Sequence, residues 1–191
     1  MPPYRLTRRE LLGASAGVAS FALAGCLGRD EDPTATGTGE LGSPTDRITV
    51  TTTSRPFPEF DPQIVHLAVG GTVEWFVETG RHDVTAYHRD VHPPHRTSEG
   101  VDPWGSDRLT GGGATFEHTF EREGIYDYVD TQQVCTSHEV AGNIGRVVVG
   151  WPDPDAEPAM ADPPESMPDR AARALRMFNE ESRPVLESPP D

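Results

Sequence analysis

The feature that most constrains this chain is a set of short segments in which apolar and polar side chains alternate with a period of two. They run 48–53, 64–69, 72–77, 83–87, 114–120, 125–129 and 144–149. Alternation of that period puts one face of an extended segment against a core and the other toward solvent. The segments are rich in Val, Ile, Thr and aromatic residues, which suit a pleated surface. Gly70-Gly71 and Glu123-Gly124 read as tight connections, and residues 88–113 as a long excursion rich in His, Pro and Gly. Seven short strands divided by turns predict an all-β fold of the sandwich type. Long excursions of this kind often carry sites.

The chain has 191 residues, enough for one core of ordinary size with an extension at each end. Its formal net charge is −15, and all 16 basic residues are Arg. A strongly acidic, Lys-free surface argues against nucleic acid as a partner. It resembles the surfaces of proteins from extreme halophiles, where salt screens self-repulsion. The two cysteines, Cys26 and Cys135, stand in unrelated contexts, so a disulfide scaffold is not the theme.

Residues 1–26 read as an export signal rather than a membrane span. Arg8-Arg9 precede a small, apolar run that ends in Leu23-Ala24-Gly25-Cys26. The paired arginines resemble a twin-arginine (Tat) signal, which is read by the route for folded cargo, and the last four residues resemble a lipobox. Cys26 is then the lipidated first residue of the mature chain. Residues 27–46 read as a disordered tether, with the folded domain over 47–151. Residues 152–191 form a Pro-rich, acidic extension with a short helix near 169–181, whose Ala171, Leu175 and Phe178 share one face and pack on the domain.

The chemistry lies in His82, which follows a strand, and in Cys135 and His138, which lie far downstream in Cys135-Thr136-Ser137-His138-Glu139-Val140-Ala141-Gly142-Asn143. Two imidazole nitrogens and one thiolate form the trigonal ligand set of blue-copper sites, which accommodate both Cu(I) and Cu(II). The surrounding segments carry a resemblance. Thr72-Val73-Glu74-Trp75 leading to His82-Asp83-Val84, the pair 114–120 and 124–128, and the closing Gly145-Arg146-Val147-Val148-Val149-Gly150 are similar to the strands of plastocyanins. They are most similar to the halocyanin-like cupredoxins of haloarchaea. The resemblance implies a Greek-key β-sandwich and one type-1-like copper ion held by His82, Cys135 and His138.

Two departures from that family stand out. Its axial Met falls eight residues after the Cys, where this chain has Asn143, and no Met occurs between residues 2 and 159. An amide oxygen of Asn143, a backbone carbonyl or water is then the axial donor, or the axial position is vacant. The family's aromatic strand also runs straight into its Cys, whereas residues 130–134 intervene here, which requires a bulge or an extension. In that stretch Gln132 or Gln133 either approaches the metal or sits on a solvated tip. Asp83 is expected to accept a hydrogen bond from Thr136 and stiffen the Cys loop. His88, His92 and His95 offer a second Cu(II) or Zn(II) loop against a plainer reading as an exposed loop. His66 and His118 read as structural or solvent-facing.

The expected function is an exported, membrane-tethered electron carrier that cycles Cu(II)/Cu(I) between membrane redox proteins and is not an enzyme. The electron would leave through His138, with Val140, Ala141 and Ile144 as an apolar docking rim. Two other readings stay open: a copper-delivery lipoprotein without a role in electron transfer, and a metal-free cupredoxin that serves as an interaction module.

Overall fold

The computed structural model describes residues 35–133 and 137–190. The export signal and Cys26 lie outside them, as do Val134, Cys135 and Thr136. Nine strands occur: β1 (Thr45–Thr53), β2 (Glu59–Asp61), β3 (Ile64–Val77), β4 (Arg81–His82), β5 (Thr85–Ala86), β6 (Leu109–Thr110), β7 (Thr115–Phe120), β8 (Gly124–Val129) and β9 (Ile144–Val149). Among the described residues two α-helices, the single turn α1 (His138–Ala141) and the 18-residue α2 (Asp169–Leu186), and a 3-10 turn at Pro158–Met160 complete the set. No helix among the described residues is long and apolar enough to cross a membrane.

The β3 strand is the hub of a Greek-key β-sandwich. Its first half pairs in parallel with β9, from Ile64 opposite Arg146 to Leu67 opposite Val149. Its second half lies between β1, in parallel, and β7, antiparallel. The strand order is β2-β1-β3-β9-β8-β5, with β7 joined to β3, and β4 and β6 form a separate ribbon. Gly70-Gly71 is therefore not a turn between two strands. The chain stays extended and bends there, with Gly70 at φ +84°, a conformation that favours glycine. Each half of β3 keeps its own alternation, which explains why the sequence reads as two segments.

The strands that meet through the bent β3 enclose a core that includes Val50, Val65, Leu67, Val73, Trp75, Phe120, Tyr126, Tyr128, Val147 and Val149. Trp75 stacks on Trp104 at 5.8 Å and meets Tyr128 edge-on at 5.3 Å. Trp104 comes from the long excursion 88–113, which thus fills the core as well as covering the surface. Gly145 lies opposite Tyr128 in the ladder, and a Cβ there would fall 2.2 Å from the Tyr128 ring.

Order begins earlier than the composition of the tether predicts. Thr36 bridges to Thr45, Gly42 N donates to His66 Nδ1 (3.0 Å), and Leu41 packs against an apolar cluster. Residues 35–46 are therefore part of the fold, because hydrogen bonds to the hub strand tie them down. His66 is buried at this junction, with Nε2 donating to Gly150 O (2.7 Å). Burial lowers its pKa and so favours the neutral ring.

The outer face of β8 and β9 is also dry. The α2 helix runs five residues past its expected end, since Ser182 and Leu186 continue the buried stripe of Ala171, Leu175 and Phe178 at spacings of three and four. Under it, Asp127 and Arg146 are ladder partners and are both fully buried. The Asp127 carboxylate accepts from Arg146 Nε (2.7 Å) and from Arg96 Nε (2.9 Å). The two guanidinium groups also donate to Ala159 O, and Arg146 donates to Asn179 Oδ1 (2.8 Å). Removal of one partner from a buried pair leaves an uncompensated charge in a low dielectric. Asp127→Ala should lower the free energy of unfolding by about 3–5 kcal/mol. Glu74→Ala, which opens a solvent-exposed pair with Arg47, should have a far smaller effect. Urea denaturation of both variants tests the contrast, and equal effects would contradict it.

Candidate metal centre

At one end of the sandwich the ladder between β8 and β9 extends one step beyond Val129, where Asp130 N donates to Asn143 O (3.2 Å). This places the side chains of Asp130 and Asn143 side by side. His82 reaches the same point from β4, and His138 from the first position of α1. Ser137 Oγ accepts from Val140 N and so caps that turn. Gly142 closes it at φ +91°, and a Cβ there would lie 3.2 Å from Arg170 Cβ of α2.

All four side chains are buried: His82, Asp130 and Asn143 completely, and His138 with 3% exposure. Both rings aim Nδ1 at one oxygen. Asp130 Oδ2 lies 2.5 Å from His82 Nδ1 and 2.6 Å from His138 Nδ1, and it accepts from Asn143 Nδ2 at 2.9 Å. The ring centroids are 5.1 Å apart. Among the described residues this is the one group of His, Cys, Asp and Glu side chains whose ligand atoms converge as a metal would require, all within 4.8 Å of one another. Asn143 Oδ1 is buried without a hydrogen-bond partner, a costly arrangement unless a further group satisfies it.

The surroundings hold the donors in place. His82 Nε2 donates to Thr79 O (2.9 Å) and lies 3.0 Å from Ser54 Oγ, which turns Nδ1 inward. Asp83 clamps the start of the 131–138 loop. Its carboxylate accepts from Thr131 N (2.7 Å), Thr131 Oγ1 (2.6 Å) and Gln132 Nε2 (2.5 Å). Its expected partner Thr136 lies outside the described residues. The loop closes on itself where His138 N donates to Gln132 O (2.9 Å).

The sequence reading locates His82, His138 and Asn143 at the centre, and the structure brings those three together. Cys135 lies outside the described residues. The structure adds Asp130, which the reading counted among the inserted residues. The strand delivers Asp130 to the centre, and the extra residues follow it. Its signal was its place directly after the aromatic strand. Gln132 does not face the centre, since its side chain lies between Asp83 and Arg108.

His88, His92 and His95 are not brought together around one point. His92 Nε2 contacts Glu139 Oε1 (3.2 Å), while His88 and His95 pack ring against ring at 4.9 Å. Tyr87 donates to the same Glu139 oxygen (2.9 Å), and burial together with that carboxylate keeps the phenol protonated well above its usual range. Burial raises the Glu139 pKa, but hydrogen bonds from His92 and Tyr87 outweigh it and hold the carboxyl below its usual value. Ile144 is fully buried against Leu175 and cannot belong to a docking rim, whereas Val140 is 49% exposed. His118 is half-buried and stacks on Trp104 at 4.8 Å, and burial lowers its pKa.

A family model described as copper binding proteins, plastocyanin/azurin family, matches residues 48–150. The chain belongs to that family. It is also 32% identical over 171 residues to a halocyanin of Natronomonas pharaonis, covering 74% of this chain and 96% of the relative. The fold is that of pseudoazurin from Methylobacterium extorquens AM1, with a TM-score of 0.53, 20% identity, and coverage of 71% of this chain and 98% of that one. Pseudoazurin from Hyphomicrobium denitrificans gives a TM-score of 0.52 at 19% identity, covering 71% and 97%. Copper is the cofactor that membership assigns, and the convergence of two imidazoles beside an orphaned amide oxygen fits a metal ion of that kind. Asp83→Ala should free the loop that carries His138 and weaken Cu(II) binding about 10- to 100-fold. Calorimetric titration of the full chain measures this, and an unchanged affinity would show that the Asp83 clamp does not orient the centre.

Proposed function

We propose that this cupredoxin is an electron carrier and not an enzyme, exported and tethered by a lipid at Cys26 to the outer face of the cell membrane. The observation that carries the reading is the convergence of His82 and His138, both through Nδ1, on one buried point. A copper ion held there would supply one-electron Cu(II)/Cu(I) chemistry, with Cys135 as the thiolate donor and Asn143 as a further, weaker donor. The chain's own part is rigidity. His82 is fixed by Thr79 and Ser54, and His138 by a capped turn, so the donors move little between oxidation states.

Electron exchange with membrane redox proteins would use the α1 end of the domain, where Val140 offers exposed apolar surface beside His138. The likeness to a halocyanin supports the electron-carrier reading over a delivery or interaction role. Cys135→Ser should remove the intense thiolate-to-copper band of the copper-loaded chain, while replacement of His88, His92 and His95 together should leave it intact. Optical spectra decide this, and a band that survives Cys135→Ser excludes the thiolate assignment. For the anchor, Cys26→Ser should move the protein from the membrane fraction to the medium, and Arg8→Lys with Arg9→Lys should block export. Unchanged membrane association of the Cys26→Ser chain would exclude the lipid tether.

A further inference from the structure

The side chains of His82, Asp130 and His138 converge as the ligands of one metal ion would. A neutral imidazole carries one N–H. His82 Nε2 faces the carbonyl oxygen of Thr79, which can only accept, so the ring's proton belongs on Nε2. Nδ1 is then a lone pair, and it lies 2.5 Å from a carboxylate oxygen, a second acceptor. His138 Nδ1 aims at the same oxygen from 2.6 Å, and the Asn143 amide from 2.9 Å. Buried acceptors directed at one point repel one another unless a proton or a metal ion lies between them. Among the described residues no guanidinium pairs with this carboxylate, whose ion-pair contacts are with the two imidazoles alone.

The carboxylate is also oriented as a single-oxygen ligand. Oδ1 accepts from two backbone N–H groups, Gln132 N (3.0 Å) and Asp83 N (3.3 Å), which leaves Oδ2 directed at the imidazoles. The backbone of Asp130 is fixed by its bond to Asn143 O at the end of the ladder. A half-turn of the Asn143 amide would present its unpartnered Oδ1 to the same centre. Two imidazole nitrogens with a carboxylate oxygen and an amide oxygen make a harder set than two imidazoles with a thiolate, and that set suits Cu(II).

We propose that Asp130 is a direct copper ligand, its Oδ2 forming with Nδ1 of His82 and Nδ1 of His138 a Cu(II) site that does not require Cys135. The assignment rests on the copper reading of the centre and is independent of whether Cys135 adds a thiolate.

The test uses the full chain carrying Cys135→Ser, titrated with Cu(II) alone. It should bind one ion per chain, with electron-paramagnetic coupling to two imidazole nitrogens and no intense visible band. Adding Asp130→Ala should weaken binding by more than about 100-fold, beyond the range usual for a group that only orients a ligand. Adding Asp130→Cys should instead create an intense thiolate-to-copper band, because the new sulfur would stand at the centre. A role confined to orienting the histidines would not give that band. If the Asp130 variants fail to fold, the Cys135→Ser chain with 13C-carboxyl aspartate should show a 13C coupling of a bound carboxylate to Cu(II) in electron–nuclear double resonance. Failure of the Cys135→Ser chain to bind Cu(II), undiminished binding in its Asp130→Ala form, or absence of the 13C coupling would overturn the assignment. The electron-carrier reading fails on different readouts, the visible band and electron exchange of the unmodified chain, so the two failures are distinguishable.

Discussion

The pairing of Asp127 with Arg146 and Arg96 beneath the C-terminal helix is the interaction on which the rest of the fold depends. Two guanidinium groups on one carboxylate leave excess positive charge in a dry place, and carbonyl and amide oxygens from residues 159–161 and Asn179 meet it. The extension after β9 is thus a required part of the domain, because without those oxygens the outer face of β8 and β9 would hold poorly solvated charge. The same cluster locks the register of the ladder three residues before Asp130 and three after Asn143. The ends of that ladder form the floor of the metal centre, so the buried ion cluster and the centre share one rigid frame.

From that floor, two further anchors raise the remaining donors. Asp83 follows His82 directly and holds Thr131 and Gln132, so the first histidine and the loop leading to the second share one set of hydrogen bonds. On the other side, Glu139 follows His138 and takes bonds from Tyr87 and His92, which ties α1 to the long excursion. Each histidine is therefore held by the carboxylate next to it in sequence. Preorganisation of this kind holds donors near one geometry and limits rearrangement when the charge at the centre changes.

Much of this was legible in the sequence because strand alternation and short-range spacing are local signals. His82, His138 and Asn143 follow from their places next to strands, and the apolar stripe of α2 follows from its period. Asp130 was hidden for a physical reason. A loop of changed length alters sequence counts at small cost in closure entropy, while the position of a ligand is set by where the ladder ends. Counting back from His138 therefore favours Cys135, whereas following β8 forward leads to Asp130. Gly70-Gly71 misleads in a similar way, since a pair of glycines suits a turn and a sheet-switching bend equally well. The ordering of residues 35–46 depends on His66 and Gly39, partners that composition cannot reveal.

The likeness to pseudoazurins near 20% identity carries the sandwich and nothing finer, so the chemistry must be argued from the donors themselves. Two histidines converge at one point, and beside them stand two oxygen-bearing side chains, Asp130 and Asn143. Those oxygens act in one direction. Oxygen donors hold Cu(II) more strongly than Cu(I), whereas sulfur accommodates Cu(I). Any thiolate from Cys135 would therefore compete at a centre where a carboxylate already stands, fixed by two backbone N–H groups. On the proposed assignment, the balance between that carboxylate and that thiolate, within an otherwise rigid frame, would set the redox character of this cupredoxin.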